Sequence, residues 1–515
     1  MRSTFHGLEV SKRGLFAQQS ALNTTSHNIA NANTEGYTRQ RANMKTPTGL
    51  PYPGMSAAVE PGILGTGVKV TDLQRIREDF LDVQFRTENK HYGYWEARQD
   101  GLEKIEVIMN EPSDTGLQTV MDQFWKSWQD LSSDPESMSA RAVVRQRAIA
   151  VAETFSALTT SLTEQQRDLD SVVATKVFDI NSIASQIAGL NKQIADLVPH
   201  GYQPNDLYDQ RDVLLDKLSK MVAVTTTNGA NGMINVTIDG KELVNGREAV
   251  AMAAVKNPTT GFNDITLGGE AFIPQSGGLL GTLEMRGIAT VDPNTGGVTV
   301  TGAIPDMLSK LDALAVNMAK EINDSHRKGM NLFDIENQQN GTGTGLQDLP
   351  FFVNADTANI PGDKTYPTSA SKLQVNPAIM ASLNAIAAAQ ANPDGSGSKG
   401  DNRNALEIAA LKFKTLTITT SATGQPESTS LDDFYRYTIA QLGVDSQEAK
   451  RMEGNSELMI GQVDTQRQSV SGVSIDEEMA EMVKYQHAYS ASARVMTSMD
   501  EILDKIINSM GRVGL

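Results

Sequence analysis

The C-terminal segment of the chain carries an apolar side chain at every seventh position, and this repeat limits the possible folds more than any other feature. The first heptad position is apolar at six successive sites: Ile475, Met482, Tyr489, Met496, Leu503 and Met510. The fourth position is apolar at four of its six sites: Glu478, Tyr485, Ser492, Met499, Ile506 and Val513. Such a repeat predicts a long helix that buries one seam against a second helix, as in a coiled coil.

A matching stripe occurs at the other end of the chain. Its members also lie seven residues apart: Leu8, Leu15, Leu22 and Ile29. Neither end has a partner helix next to it in sequence, and a helix with a single seam cannot bury that seam alone. We therefore expect the two ends to pack on each other, with this stripe against Met482, Tyr489, Met496 and Leu503. An ordinary intramolecular bundle remains the alternative to an assembly surface.

The region between the ends changes its periodicity twice. One row of heptad residues, from Val173 to Ile194, predicts an unbroken helix over 139–198, about 90 Å long at 1.5 Å per residue. Pro199 and Pro204 end it, and a shorter helix follows from Asp206. Over 222–302 apolar and polar residues alternate, and Asp239-Gly240 predicts a tight hairpin turn. Helical periodicity resumes at Pro305.

The C-terminal half contains a stretch rich in Gly, Asn, Pro and Ala over 337–400, for which we expect long surface loops around a short apolar piece at 349–353. Helices are predicted again over 404–414 and 431–462. The fold class is therefore mainly α with an inserted β domain, elongated and multidomain. The predicted divisions are a terminal coiled-coil domain with its connector (1–70 and 465–515), a helical rod domain (71–221 and 303–464) and an outer β domain (222–302).

Composition excludes several kinds of partner and site. The net charge is −17 and no basic run stands out, so binding to nucleic acid or an anionic membrane surface is not expected. The chain has no cysteine, no apolar run long enough for membrane insertion and no apolar stretch typical of a signal peptide. Export, if it occurs, is expected to use a route other than general secretion.

Catalytic and metal-binding patterns are absent from the sequence. The six histidines are scattered, and no nucleophile elbow or phosphate-binding loop occurs, so we expect neither enzymatic activity nor a cofactor. Asp206, Asp209 and Asp212 lie on one predicted helical face and can in principle hold Mg²⁺ or Ca²⁺. The favoured interpretation is structural: Asn205 or Asp206 caps the helix, and Arg211 pairs with an acid.

The segment SHNIANANTEGYTR, residues 26–39, resembles the N-terminal signature of the flagellar rod, hook and hook-associated protein family. The residues that carry this resemblance are Asn28, Asn31, Gly36 and Tyr37. Hook and rod members end the motif with Gly-Phe-Lys, whereas this chain has Gly36-Tyr37-Thr38-Arg39, which is similar to the hook-associated branch. Three further segments agree: NDLYDQRDVLLDKLS from 205, GDNRNA from 400 and SGVSIDEEMAEMVKYQHAY from 471.

The resemblance implies a structural protein of the extracellular flagellum. It implies delivery through the flagellar type III export channel, with an export chaperone held on the C-terminal helix beforehand. It further implies a ring of identical subunits at the junction, with the hook protein below and the third hook-associated protein and the filament above. The predicted assembly interface comprises the stripe residues Leu8, Leu15, Leu22 and Ile29, the motif residues Asn28, Asn31, Gly36 and Tyr37, and the apolar heptad residues Ile475, Met482, Tyr485, Tyr489, Met496, Met499, Leu503 and Ile506.

The methionines and tyrosines of the C-terminal helix have two interpretations. They can be ordinary core residues, or they can form an adaptable surface that meets a chaperone, a channel and several subunits in turn, which we favour. The alternatives for the whole protein are a hook or distal-rod protein of the same family, and a secreted adhesin or cell-wall hydrolase whose activity resides in the β domain.

Overall fold

The structure, a computed structural model, describes residues 5–49, 65–291, 297–341, 348–358, 365–393, 395–420 and 426–509. Met510 and Val513 of the predicted heptad lie outside these ranges. The described α-helices are α1 (His6–Ala30), α2 (Asp79–Met109), α3 (Leu117–Ser133), α4 (Met138–Leu197), α5 (Asn205–Met221), α6 (Gly278–Arg286), α7 (Ala303–Lys328), α8 (Leu332–Gln339), α9 (Pro377–Ala381), α10 (Arg403–Ala410), α11 (Leu431–Ser471) and α12 (Ile475–Ser509).

The strands are short and form small antiparallel sheets. They are β1 (Gln40–Lys45), β2 (Lys69–Arg75), β3 (Val224–Asn228), β4 (Ile234–Ile238), β5 (Lys241–Asn245), β6 (Glu248–Ala249), β7 (Met252–Lys256), β8 (Asn263–Leu267), β9 (Glu270–Ala271), β10 (Ile288–Val291), β11 (Val298–Thr301), β12 (Gly329–Met330), β13 (Phe352–Asn354), β14 (Leu373–Val375), β15 (Ala389–Gln390), β16 (Leu416–Thr419) and β17 (Pro426–Thr429). The predicted fold class, mainly α with an inserted β region, is confirmed.

The two ends of the chain pack together as antiparallel helices, α1 against α12. Strands β1 and β2 form a hairpin, here called the connector hairpin, which lies against α1 and leads into α2. Its register is interrupted by a bulge between Asn43 and Met44. Helices α2 and α11, which follow the hairpin and precede α12, also pack on each other. The chain thus leaves and re-enters the terminal helix pair along adjacent helices.

Helix α4 runs through both large hydrophobic cores. It spans 60 residues, as the heptad row predicts, and the Ser137 side chain caps it by accepting from the Ala140 N–H. Its first half, up to Leu169, packs with α2, α3, α7 and α11 in one core. Its second half, from Val173, packs with α5, α6 and the strands β4, β5, β7 and β8 in the other. One helix therefore supports both the bundle and the β region.

The β region forms two small sheets around the second half of α4. One has the order β3-β4-β5-β6 and the other β7-β8-β9. The predicted turn is confirmed, because Asp239 and Gly240 join β4 to β5 with φ values of 49° and 84°. Positive φ at both central positions is what a type I′ turn requires.

The stretch 337–400 differs from the prediction of surface loops. Its described part contributes buried residues to the first core: Phe351, Phe352, Val375, Ile379, Ile386 and Ala388. The backbone here is satisfied by the short β13–β14 ladder and also by side chains. The Asn323 amide oxygen accepts from the N–H groups of Phe351 and Phe352, at 2.8 Å each. Phe351 and Phe352 belong to the predicted apolar piece at 349–353, whereas composition alone misidentified the other buried residues as surface loops.

A buried histidine anchors the same segment. His326 on α7 donates from Nδ1 to the Leu349 carbonyl at 2.7 Å and accepts at Nε2 from the Ala387 N–H at 2.9 Å. This tautomer is neutral. Burial, together with the nearby Arg141 charge, lowers the pKa of His326 to about 4. The imidazole is therefore held uncharged at neutral pH.

Candidate assembly site at the terminal helix pair

The closest approach of α1 to α12 is made by small residues at seven-residue spacing. Gly7, Gly14, Ala21 and Asn28 follow one another along α1, and they meet Met499, Ser492, Tyr485 and Glu478 on α12 in antiparallel order. A Cβ added at Gly7 would lie 2.8 Å from Met499 Cε, and one at Gly14 would lie 3.1 Å from Ser492 Oγ. A side chain at either glycine would force Met499 or Ser492 to shift, so the glycines allow the two helices to approach closely.

The predicted stripe on α1 lies beside this seam instead of at its centre. Leu8, Leu15, Leu22 and Ile29 each follow one seam residue and are half-buried. Of the predicted α12 residues, Leu503 is buried at 8% exposure, and the half-buried ones are Met482, Tyr485, Met496 and Met499. Ile475 at 48%, Tyr489 and Ile506 are exposed. The difference arises because Gly and Ala let the helix backbones approach closely and displace the larger leucines to the flank.

Further apolar side chains of the helix pair also face outward. They are Phe5, just before α1, Phe16 on α1, and Met479, Val483, Val495, Ile502 and Ile507 on α12. An exposed apolar set of this size on one helix pair is typical of an interaction surface.

Asn28 connects three parts of the terminal domain. Its Nδ2 donates to the Gln40 carbonyl at 2.8 Å and to Glu478 Oε2 at 3.0 Å, and its Oδ1 accepts from the Gln40 N–H and the Tyr37 hydroxyl. The side chain is buried, with all its contacts to α1's own loop, to β1 and to α12. This position therefore requires a short amide, which donates and accepts at once.

The loop after α1 holds the hydrogen-bond partners of Asn28 in position. Asn31 ends the helix and accepts from the Thr34 hydroxyl at 3.2 Å, and Tyr37 N–H donates to the Thr34 carbonyl. Gly36 has φ 75°, and a Cβ there would lie 2.0 Å from Val213 Cγ2 on α5. Burial, and then the charges of Asp206, Asp209 and Glu478, raise the pKa of Tyr37, so its hydroxyl keeps its proton.

Arg39 binds two adjacent carboxylates at the start of α12. Its Nε donates to Glu478 and its Nη1 to Glu477, both at 2.6 Å. The two acids differ in environment, since Glu478 is 3% exposed and Glu477 is 63% exposed. Glu478 is one of two polar exceptions in the predicted heptad, and the structure shows that it fills a seam position by pairing with Asn28 and Arg39.

Helix α5 presents an aspartate stripe, Asp209, Asp212 and Asp216, to the connector and to α2. Asp209 accepts from the Thr38 N–H at 3.0 Å and from Arg75 at 2.7 Å. Asp212 lies within 3.4 Å of three arginines: Arg75, Arg77 and Arg86. Although burial alone would raise it, these arginines hold the pKa of Asp212 below its ordinary value.

The same stripe also receives the end of α11. Arg467 donates to Asp216 at 2.6 Å and lies 3.6 Å from Asp82 on α2, while Arg86 donates to Asp216 at 2.8 Å. The motif from Asn205 therefore joins the connector hairpin, α2 and α11 at one place. Arginine side chains pair with its carboxylates. This agrees with the structural interpretation of these aspartates and not with a cation site.

Two details of that interpretation are wrong. Helix α5 begins at Asn205 after Pro204 without a side-chain cap, and Asn205 instead donates to Gln40 Oε1 and to the Leu73 carbonyl. Arg211 pairs with no acid within 4 Å in the described ranges. It donates to Asn191 Oδ1 and to the Gly232 carbonyl, and burial lowers its pKa.

The GDNRNA segment has a structural role as well. Asp401 accepts from the Gln390 N–H, Asn402 donates to the Ser132 carbonyl and Asn404 donates to the Ala387 carbonyl. These contacts hold the irregular chain before α10 against α3 and the first core.

Several residues at the site were not identified from the sequence. Gly7 and Gly14 escaped notice because glycine adds nothing to an apolar pattern, although their seven-residue spacing was a usable signal. Arg75, Arg77, Arg86 and Arg467 had no signal, because their partners are distant in sequence. Across the described ranges, no His, Asp or Glu cluster is arranged to hold a metal ion, and no helix is apolar enough over its length to cross a membrane.

Comparison with known proteins matches nearly the entire chain. The flagellar hook-associated protein 1 of Bacillus subtilis is 39% identical over 539 residues, which cover 99% of this chain and 99% of the relative. The chain belongs to the flagellar hook-associated protein 1 family. A second member of this family, from Escherichia coli, is 27% identical and covers 96% of the chain and 98% of the relative. Family membership makes the chain a structural protein of the bacterial flagellum and not an enzyme.

The two ends of the chain match models described for flagellar rod proteins, whereas its centre matches a model described for the hook-associated protein. Residues 8–38 match a model described as flagella basal body rod protein, and 465–510 match one described as flagellar basal body rod FlgEFG protein C-terminal. Residues 102–342 match the flagellar hook-associated protein FlgK helical domain. The fold agrees with a solved structure of the hook junction protein FlgK from Burkholderia pseudomallei, at 16% identity and a TM-score of 0.56, covering 76% of this chain and all of that chain.

Proposed function

We propose that the chain forms the ring that joins hook to filament and allows flagellin to assemble above it. The observation that carries the proposal is the apolar surface of the terminal helix pair. Ile475, Met479, Val483 and Ile502 on α12 remain about half exposed in the single chain. Neighbouring subunits that cover them would remove this surface from water, which is the main driving force of association.

The predicted interface residues divide into three roles within this proposal. The flanking stripe of α1 (Leu8, Leu15, Leu22 and Ile29) and the exposed α12 residues (Ile475, Tyr489 and Ile506) contact adjacent subunits. The partly and fully buried residues hold the pair together so that this surface exists: Met482, Tyr485, Met496, Met499 and Leu503. Asn28, Asn31, Gly36 and Tyr37 act indirectly, because they fix the connector hairpin against both helices.

The partners follow from the same surface. Its open, methionine-containing face on α12 suits an export chaperone before assembly. The proposed route is type III export to the extracellular flagellum, with the hook protein below the ring and the third hook-associated protein above. The proposed division keeps the terminal domain (1–70 and 465–515) on the axis, with the rod domain (71–221 and 303–464) and the β domain (222–302) progressively outward.

Deletion of the gene tests the proposed location. Electron microscopy of the mutant is expected to show complete hooks without filaments, and flagellin should accumulate in the medium. Re-expression of the full chain should restore the filaments. Normal filaments in the deletion strain would refute the junction role.

Two adjacent residues test the assembly surface. Ile502 is 51% exposed on the outer face of α12, whereas Leu503 is 8% exposed in the seam. Ile502→Asp should leave the monomer as protease-resistant as the wild type but keep it from hooks, because a charge in a subunit contact is unfavourable. Leu503→Asp should also keep it from hooks while making α12 protease-sensitive. If the Ile502 variant occupies hooks at the wild-type level, this face is not an interface.

A further inference from the structure

The hydrogen bonds around Asn28 fix the direction in which each proton points. The Asn28 amide nitrogen donates to the Gln40 carbonyl and to the Glu478 carboxylate, and these oxygens only accept. The Asn28 amide oxygen accepts from the Gln40 N–H and from the Tyr37 hydroxyl at 2.8 Å. A hydroxyl has one proton to donate, so the proton of Tyr37 is committed to Asn28.

His27 is the next member of this chain of hydrogen bonds. Its Nδ1 lies 2.9 Å from the Tyr37 hydroxyl oxygen. Because the hydroxyl proton points to Asn28, Nδ1 carries a proton and donates to that oxygen. Burial, and then neighbouring carboxylates, raise the pKa of Tyr37, so the hydroxyl does not lose its own proton. A neutral imidazole has one N–H, which leaves Nε2 of His27 as an acceptor.

Nε2 of His27 faces a second acceptor instead of a donor. It lies 3.8 Å from Asp206 Oδ2 on the first turn of α5, and no other carboxylate of the described ranges lies within 4 Å of His27. Asp206 Oδ1 already accepts from the Gln40 side chain at 3.0 Å. Two acceptors at this distance repel each other, whereas a proton on Nε2 turns the contact into an ion pair. The network therefore lacks one proton when His27 is neutral.

The surroundings of His27 favour the charged imidazole. The cleft beside it is lined by Glu35, Asp206 and Asp209, and the residues that α4 contributes to the cleft are uncharged. Arg75 pairs with Asp209 at 2.7 Å but does not itself line the cleft. His27 also lies in the last turn of α1, where the helix carbonyls favour a cation.

We propose that His27 forms a pH-sensitive contact between α1 and α5. A proton taken up from water at Nε2 pairs with Asp206, while Nδ1 continues to hold Tyr37 and, through it, Asn28. One chain of hydrogen bonds then runs from Asp206 on α5 to Glu478 on α12. The charge of a histidine ordinarily changes between pH 5 and pH 8, so α1 is attached to α5 more firmly at the acidic end of that range.

The expected effect is modest because both partners are partly exposed, His27 at 44% and Asp206 at 60%. An exposed ion pair and a cation at a helix end together reduce local opening by about three- to fivefold.

Native-state hydrogen exchange of the free monomer tests the contact. After correction for intrinsic rates, amides in the last two turns of α1 and in β1 should open about three- to fivefold less often at mildly acidic than at mildly alkaline pH. Asp206→Asn keeps the acceptor for Gln40 but removes the charge, so the difference should fall below about twofold. Glu35→Gln, in the same cleft, is the matched control and should keep the difference. Amides in the first half of α4 correct for protons bound elsewhere, including those of His326.

The position of the proton provides an independent readout. In nitrogen NMR spectra at alkaline pH, neutral His27 should carry its proton on Nδ1, and Tyr37→Phe should remove that preference. A neutral imidazole protonated at Nε2 would overturn the inference. Equal opening of the wild type at the two pH values, or an unreduced difference in Asp206→Asn, would also overturn it. All of these measurements use the monomer, so their outcome is independent of the proposed ring.

Discussion

Glu478 is the buried carboxylate on which the attachment of α12 to the rest of the molecule depends. Its side chain accepts from Asn28 at 3.0 Å and from Arg39 at 2.6 Å. Charge-assisted hydrogen bonds contribute about 1.5–3 kcal/mol each, and the loss of one partner leaves the others buried and unpaired. Arg39 keeps Glu477 as a partner and is 22% exposed, which reduces the penalty. We therefore expect Glu478→Ala to destabilise α12 packing by about 2–3 kcal/mol.

Glu477 provides a matched control. It contacts the same arginine at the same 2.6 Å distance, but it is 63% exposed. An exposed ion pair contributes about 0–1 kcal/mol. Glu477→Ala should consequently change the stability of α12 by less than about 1 kcal/mol, although it also removes a hydrogen-bonded ion pair with Arg39.

Native-state hydrogen exchange of the monomer measures both effects locally. Since about 1.4 kcal/mol corresponds to a factor of ten, α12 amides should exchange at least about 30-fold faster in Glu478→Ala and less than about fivefold faster in Glu477→Ala. Amides in the first half of α4 should not change in either variant. Equal acceleration in the two variants would refute the argument, because burial would then not determine the contribution of the carboxylate.

Three further perturbations test other parts of the structure. Gly36→Ala, which combines φ 75° with a Cβ 2.0 Å from Val213, should cost about 1–3 kcal/mol in urea unfolding, and Val213→Ala should recover part of that loss. Asp212→Asn should cost about 3 kcal/mol because three arginines lose their shared partner, whereas exposed Asp206→Asn should cost less than about 1 kcal/mol. Stability should fall by about 3 kcal/mol between pH 6.5 and pH 4 through His326, because its folded pKa of about 4 lies below the unfolded 6.5 and the unfolded chain binds the proton first. His326→Gln should remove that part of the pH dependence, and an unchanged profile would contradict the assignment.

The sequence predicted those parts of the fold that depend on local periodicity. The 60-residue helix α4, the Asp239-Gly240 turn and the pairing of the two ends follow from patterns within a few residues of each other. The seam register did not follow, because apolar heptads locate large side chains while the contact depends on Gly7 and Gly14. Small residues determine how closely two helices approach, and a pattern of hydrophobic residues does not reveal their positions.

The candidate site was predictable in outline only. The motif from Asn28 to Tyr37 was identified by resemblance, but its connection to Glu478 joins residues 450 positions apart. The aspartates of α5 were noticed as a stripe, yet their arginine partners came from three other segments. Long-range polar contacts have no sequence period, so only the three-dimensional structure brings these groups together.

Helix α4 and the aspartate stripe transmit load in different ways. Because both large cores are built on one continuous helix, a bending or twisting force on the β region reaches the bundle without crossing a loop. Between the bundle and the terminal helices, the arginine–aspartate contacts around Asp212 and Asp216 add polar connections to the chain itself. The strength of these contacts depends on ionic strength in a way that a hydrophobic core does not.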